Sequence, residues 1–421
     1  MKISTELVAR MKRYIRVLGP GLITGASDDD PSGIATYSQA GAGFGFSTLW
    51  TALLTFPLMA TIQGMCARIG IVTKTGLTGV LKVHYPKSLL YIMMVLSFPA
   101  ITLNIGADIE GMGAVANLLV PKIPTFAFSI GFTVVLIWFI IKYPYRKIAA
   151  VLKWLCISLL LYLLVPFLVH PDWKAIFRNT LIPVIHLNRN FFEILVAILG
   201  TTISPYLFFW QTTMEAENMA HKPRTAVVSS RMLREMRLDV NMGMLFSNLV
   251  MYFLILTSGA VLYKAGVRQI DTVGQAAKAL EPLAGELTYL LFALGVIGTG
   301  LLAVPVLAGS LSYIIAETFN WKQGLDKKFR EAKGFYLTMI VSLLVGLCLD
   351  FLGISPIQAL IYTAVLYGLT APVMILVLIH ICNNKKIMGA FTNNRLSNIM
   401  SIITFVLMTA AAVALVYLQF R

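Results

Sequence analysis

Runs of apolar residues recur along the whole chain, with polar and basic residues gathered between them. A hydrocarbon core about 30 Å thick needs about 20 residues of helix to cross it. Eleven stretches fit, approximately 17–43, 46–73, 88–118, 124–141, 148–168, 190–216, 240–263, 286–318, 335–352, 356–382 and 397–420. The pattern predicts an all-α membrane protein with eleven transmembrane helices. One segment outside the spans is also periodic. In Asp271 to Gly285, Ala276, Ala277, Ala279 and Leu280 lie opposite Gln275, Lys278 and Glu281, which predicts a short amphipathic helix acting as a lid or strut.

Composition agrees with this pattern. The 421 residues are 58% hydrophobic and only 13% charged, against about a quarter charged in soluble domains, so no separate soluble domain is expected. The first stretch holds three aspartates and runs directly into a second span, unlike a cleavable signal peptide. A net charge of +15 could suggest nucleic acid, but the basic residues are placed for a membrane. With the N-terminus inside, 26 of the 34 Lys and Arg fall on the inner side, among them Arg10, Lys12, Arg13, Lys142, Arg146, Lys147, Arg231, Arg234, Lys327 and Lys328. The C-terminus is then outside. Cysteines 66, 156, 348 and 382 have no paired spacing and read as packing thiols.

Two spans are interrupted. In the first, Gly19-Pro20-Gly21 is followed by Ser27-Asp28-Asp29-Asp30-Pro31-Ser32-Gly33; in the sixth, Gly200-Thr201-Thr202-Ile203-Ser204-Pro205-Tyr206 places glycine and proline at mid-span. A broken backbone at membrane depth must be lined by protein or by a cavity. Breaks at corresponding positions of two five-span halves point to a midplane site between inverted repeats. The halves have opposite orientation, since span one starts inside and span six outside. The expected division is 1–16, an inner N-terminal segment; 17–168, the first repeat; 169–189, an outer loop; 190–382, the second repeat; and 383–421, a loop and a peripheral eleventh helix.

Proline has no N–H, so Pro31 is expected to free the carbonyl of Ser27, and Pro205 that of Thr201. Half-helix C-termini favour a cation. Asp30 adds a full negative charge, and the hydroxyls of Ser27, Thr201 and Ser204 add oxygen donors. A carboxylate at the bilayer centre is a functional feature by default, so a cation site is expected here. Three adjacent residues cannot all face one ion, so Asp28 and Asp29 are left lining an access path or protonated. In span three, Asn104 and Asp108 share a helix face. Asp108 either walls a polar vestibule or takes part in a proton step, or it faces the headgroup zone. Glu215 and Glu217 read as solvated charges at the end of span six.

These residues resemble the Nramp family of divalent-metal transporters, which share the inverted-repeat fold of the leucine-transporter type. The family's first-span Asp-Pro-Gly-Asn corresponds to Asp30-Pro31-Ser32-Gly33, and its sixth-span Met-Pro-His, after a carbonyl-donating alanine, to Ser204-Pro205-Tyr206 after Thr201. The resemblance implies a metal site of Asp30 with the carbonyls of Ser27 and Thr201. Gly33 stands where the family has asparagine, Ser204 where it has methionine and Tyr206 where it has histidine. Asp108 matches a family acidic position, but its companion three residues on is Gly111.

Losing the thioether favours harder ions, and fewer protein ligands leave room for the water that Mg²⁺ gives up reluctantly. The sequence therefore looks like the magnesium-associated, Nramp-related branch. Mg²⁺ is the expected cargo and Mn²⁺ a co-substrate, both as transported substrates rather than cofactors. His84, His170, His186, His221 and His380 all lie near span ends or in loops, which argues against proton coupling. The implied protein is a carrier in a bacterial plasma membrane, with a divalent metal ion and the lipid bilayer as partners and no obligatory protein partner. It is not an enzyme. A proton-coupled Mn²⁺/Fe²⁺ importer, an amino-acid transporter of the same fold and a passive channel are alternatives. An intramembrane aspartyl protease would need a facing aspartate pair, such as Asp30 and Asp108.

Overall fold

The structure is a computed structural model that describes residues 19–143, 157–221, 228–348 and 353–420. The described residues are helical, with no strand among them. The expected first span is two half-helices, α1 (Pro20–Asp28) and α2 (Pro31–Phe44). There follow α3 (Trp50–Thr73), the short α4 (Leu77–His84), α5 (Lys87–Leu119) and α6 (Thr125–Lys142). Much of the fifth span lies outside the described residues. What is described is a 3-10 segment, Ile157–Leu163, and one helical turn, α7 (Val165–Val169).

After the surface helix α8 (Trp173–Leu181), the second half opens with another split helix, α9 (Arg189–Thr202) and α10 (Pro205–Ala220). Next comes α11 (Ser230–Ser258), which ends in a π-helical turn, Gly259–Tyr263. The predicted amphipathic strut is a chain of short turns that includes α12 (Val273–Ala277) and α13 (Glu281–Ala284). Ala276, Ala277, Ala279 and Leu280 are buried and Lys278 and Glu281 exposed, as its pattern requires. The chain then forms α14 (Thr288–Phe319), α15 (Lys333–Cys348), α16 (Pro356–Asn383), the short α17 (Lys385–Met388) and α18 (Arg395–Gln419).

Starts and stops follow local chemistry. Pro20, Pro31, Pro205 and Pro356 each stand at a helix start, where a missing N–H costs nothing. Asn188, Ser229, Thr272, Ser355 and Asn394 cap helix N-termini with their side chains.

Eight helical segments among the described residues are long and apolar enough to cross a membrane. They account directly for eight of the eleven expected spans. The expected first span is the split pair α1/α2, and two shorter apolar stretches, Leu159–Val169 and Lys333–Cys348, overlap the expected fifth and ninth spans. The split α9–α10 helix is 89% buried over its apolar window and α18 only 28%, which puts the sixth span at the centre and the last at the edge.

The packing carries the repeat. α11 packs against α1 and α2, and α3 packs against α10, so each split helix leans on the second span of the opposite half. α5 packs against α14, the third members of the two halves. This exchange is what an inverted repeat produces.

Candidate functional site

The first break is a two-residue joint. α1 stops at Asp28, Asp29 leaves helical geometry (φ −86°, ψ 50°), and Asp30 is extended (φ −69°, ψ 172°). A residue before proline is pushed out of the helical region, which places the turn at Asp30. Asp30 then caps the next half-helix, its Oδ1 accepting the Gly33 N–H at 2.8 Å. Its Oδ2 accepts the Asn104 amide at 2.9 Å, and the same Nδ2 reaches Asp108 Oδ2 at 3.2 Å. Asp108 is fully buried, so it does not face the headgroup zone. One of its oxygens has no hydrogen-bond partner.

The second break repeats the geometry. α9 stops at Thr202, Ile203 and Ser204 leave helical geometry, and Pro205 begins α10. The joint directs the Ser204 hydroxyl back at Thr201, donating to its carbonyl at 2.5 Å. Tyr206 Oη crosses to the other break and donates to the carbonyl of Ser27 at 3.0 Å. Here the sequence expectation needs correcting. The carbonyls of Ser27 and Thr201 lie at the breaks, but neither is without a partner. Each prolyl ring starts a new half-helix rather than sitting inside one, and the polar side chains beside Pro205 turn onto the exposed carbonyls.

The two breaks meet. Tyr37 Oη lies 3.2 Å from Thr202 Oγ1. A Cβ added to Gly33 would stand 3.3 Å from the Asp28 carbonyl oxygen and 3.4 Å from Thr201 Oγ1. Asp30, Ser27, Thr201, Ser204 and Tyr206 are all buried.

Asp28 and Asp29 both reach Ser247 of α11. Ser247 Oγ is 2.7 Å from Asp28 Oδ2 and 3.2 Å from Asp29 Oδ1. Among the described residues, no group of three or more His, Cys, Asp or Glu side chains is placed to hold a metal ion. The aspartate triplet therefore does not converge. Beside the joints stand the Asp30 carboxylate, with Asp108 sharing its Asn104 amide, and the hydroxyls and carbonyls of both breaks. Such oxygen donors suit hard cations.

Cavities approach the site from both ends of the bundle without reaching it. One of about 570 Å³ lies where α2 stops and α9 starts, lined by Gln39, Phe44, Arg189, Glu193, Arg268 and Tyr362. At the opposite end a cavity of about 240 Å³ is lined by Gly19, Ile23, Trp210, Met214, Glu217 and Asp326. That end is shut by α1. Asp239 of α11 accepts the N–H groups of Gly19 and Gly21 at 2.7 Å each and of Leu22 at 3.2 Å. Thr24 Oγ1 also lies 2.5 Å from Gln211 Oε1 of α10. Glu215 is buried and takes a hydrogen bond from Gln211 at 3.2 Å, while Glu217 accepts one from Tyr313 at 2.7 Å. Glu215 is thus part of the closed end rather than a solvated charge, whereas Glu217 is half-buried and lines the cavity there.

Sequence reasoning missed Asp239, Ser247, Tyr37 and Gln211. Gly19-Pro20-Gly21 was the one available signal for Asp239, because a helix start leaves N–H groups that need an acceptor. The others act through tertiary contacts between distant segments and leave no local pattern.

Two helices broken at matching points, facing each other at the centre of an inverted repeat, define a membrane protein with the leucine-transporter-type fold. The crystal structure of MhsT in complex with L-phenylalanine has this fold, with a TM-score of 0.60 at 13% identity over 95% of this chain and 97% of that one. The chain belongs to the Nramp family, whose description, Natural resistance-associated macrophage protein-like, matches residues 21–418.

A relative from Caldanaerobacter subterraneus subsp. tengcongensis, named Divalent metal cation transporter MntH, is 25% identical over 398 residues, covering 93% of this chain and 90% of its own. A Bacillus subtilis protein of the same name is 23% identical over 96% of this chain and 92% of its own. The Eremococcus coleocola manganese transporter, crystallised with an aromatic bis-isothiourea substituted compound, superposes with a TM-score of 0.77 at 20% identity, covering 96% of this chain and 86% of that one. Proteins of this family are transporters rather than enzymes, and metal ions are their substrates, not their cofactors.

Proposed function

We propose that the protein carries divalent metal cations across a bilayer by alternating access, favouring Mg²⁺ with Mn²⁺ as a co-substrate, and without obligatory proton coupling. The observation that carries this reading is the position of Asp30, a buried carboxylate at the joint between two half-helices, in a break that the Tyr206 contact to the Ser27 carbonyl ties to the second joint. Mg²⁺ favours one or two carboxylates and keeps several waters. The membrane potential supplies about 2.3 kcal/mol per charge per 100 mV, enough to draw a divalent ion inward without a proton partner. The placement of basic residues supports an orientation with the N-terminus inside, in a bacterial plasma membrane, with the chain divided at 168 and 190 into its two repeats.

A second reading, a Mn²⁺/Fe²⁺ importer, is favoured by the names of the relatives above. An amino-acid carrier is disfavoured by Asp30, whose own carboxylate occupies the N-terminus of α2, where a substrate carboxylate would dock. The deciding experiment is competition by Mg²⁺, Ca²⁺, Mn²⁺ and Cd²⁺ for uptake into proteoliposomes. Mg²⁺ and Mn²⁺ competing at similar concentrations, with Cd²⁺ no stronger, is the expected result. Cd²⁺ and Mn²⁺ outcompeting Mg²⁺ by orders of magnitude would establish the second reading.

A further inference from the structure

At the end of the bundle that the basic residues mark as inner, a cavity of about 510 Å³ lies between α3, α11 and the start of α18. None of the residues at the two helix breaks lines it. Its walls change character along their length. Arg68 stands toward the end of α3, and Phe56 and Pro57 lie nearer the start of that helix. Asn248 of α11 bonds Thr55 and Met59 of α3, and Met251 bonds Thr55, so the two helices run antiparallel. Arg237, toward the start of α11, therefore comes level with Arg68. Asn394 and Ser397, at the N-terminus of α18, join this polar end, and Met400 lies further along that helix.

The dimensions are those of one leaflet. From Arg68 to Pro57, α3 covers about 16 Å at the helical rise, roughly half of a hydrocarbon core about 30 Å thick. Gly64 lies between the two levels, and a Cβ added there would have no heavy atom within 4 Å, so the groove is open along its middle.

The polar end holds unspent positive charge. Among the described residues, neither Arg68 nor Arg237 forms an ion pair with a carboxylate. Arg68 Nη2 donates to Asn393 Oδ1, which anchors the guanidinium, yet Arg68 Nε is buried without a hydrogen-bond partner. Guanidinium groups match the geometry of phosphate oxygens, and the start of α18 adds the positive end of a helix dipole. The apolar stretch cannot choose among lipids, because any acyl chain is as apolar as its walls. The choice falls to the headgroup. A choline or ethanolamine cation would meet two arginines, whereas a headgroup with only its phosphate charge would be drawn to them.

We infer that this groove binds one phospholipid with a net anionic headgroup, its phosphate at Arg68 and Arg237 and one acyl chain running past Gly64 toward Phe56. The inference does not depend on which ion the protein carries.

The test is native mass spectrometry of the full chain released from micelles containing equal amounts of phosphatidylglycerol and phosphatidylcholine with the same acyl chains. Wild type should retain one phosphatidylglycerol in preference to phosphatidylcholine. Arg237→Gln, at an exposed position, should weaken that retention about fivefold, the size expected for one basic side chain at a membrane surface. Gly64→Phe fills the groove while leaving both arginines in place, and should weaken it at least as much. Arg234→Gln removes an exposed charge from the same helix outside the cavity and should change nothing. Equal retention of the two lipids by wild type overturns the proposal. So does a loss in Arg234→Gln as large as that in Arg237→Gln, which would reduce the effect to diffuse surface charge. Unchanged retention in Gly64→Phe overturns it as well, since the acyl chain would then lie elsewhere.

Discussion

The carboxylate of Asp239 accepts the backbone N–H of Gly21 at 2.7 Å, although the two residues are 218 positions apart. With Gly19 and Leu22 also bonded to it, Asp239 satisfies several of the N–H groups that a helix start leaves open and sets a negative charge at the positive end of α1. Separating α1 from α11 would break all three bonds together. Asp239→Ala should therefore weaken closure of this end by about 1–2 kcal/mol, a shift of roughly 5- to 30-fold in the closed-to-open ratio. Maleimide labelling of a cysteine placed at Met214, in the adjoining cavity, should accelerate accordingly. An unchanged labelling rate would mean that Asp239 caps the helix without controlling the opening.

The glycines of this contact allow a separate check. A Cβ on Gly243 would overlap the Gly21 carbonyl, and one on Gly25 would overlap the Gly243 backbone. Gly243→Ala should cost about 1–3 kcal/mol through overpacking and lower the melting temperature in detergent. Gly64 is also helical but has nothing within 4 Å of its added Cβ. Gly64→Ala should leave the melting temperature unchanged or raise it, since alanine is the better helix former.

Asn104 bridges Asp30 and Asp108 with one amide. Asn104→Leu removes the donor and leaves two buried carboxyl groups without it. Hydrogen bonds to charged groups contribute about 1.5–3 kcal/mol, so the KM for metal should rise at least about tenfold with folding intact. A variant with wild-type KM would show that Asp30 keeps its orientation through Gly33 alone.

Coupling to protons is tested by following internal pH during uptake. Tyr206 occupies the position just after the second break and reaches the Ser27 carbonyl with a hydroxyl, where an imidazole would supply a group titrating near neutrality. Metal addition should drive no acidification of the vesicle interior beyond that of empty liposomes. A proton flux rising with metal concentration would contradict uncoupled transport.

Much of the architecture was readable from the chain alone because it depends on local rules. Continuous apolar runs gave the spans, and Pro31 and Pro205 marked the two joints to within a residue, since proline acts on its immediate neighbours. The fate of the liberated carbonyls was not readable. It depends on which way Ser204 and Tyr206 turn, and that is settled by packing against Tyr367 and by the approach of the other half of the molecule. The same holds for Asp28 and Asp29, identical in chemistry to Asp30 but rotated by the helix end toward Ser247. Glu215 misled for a related reason: it sits at a span end, yet it is buried there against Gln211.

The central claim is that a divalent cation rests beside Asp30 between the two joints. Crystals soaked in Mn²⁺ test it directly by anomalous scattering. The account predicts a peak next to the Asp30 carboxylate, between the Ser27 and Thr201 carbonyls, that disappears in Asp30→Ala. A peak at Asp28 and Asp29 instead, or one at Asp30 that survives removal of its carboxylate, would contradict the account.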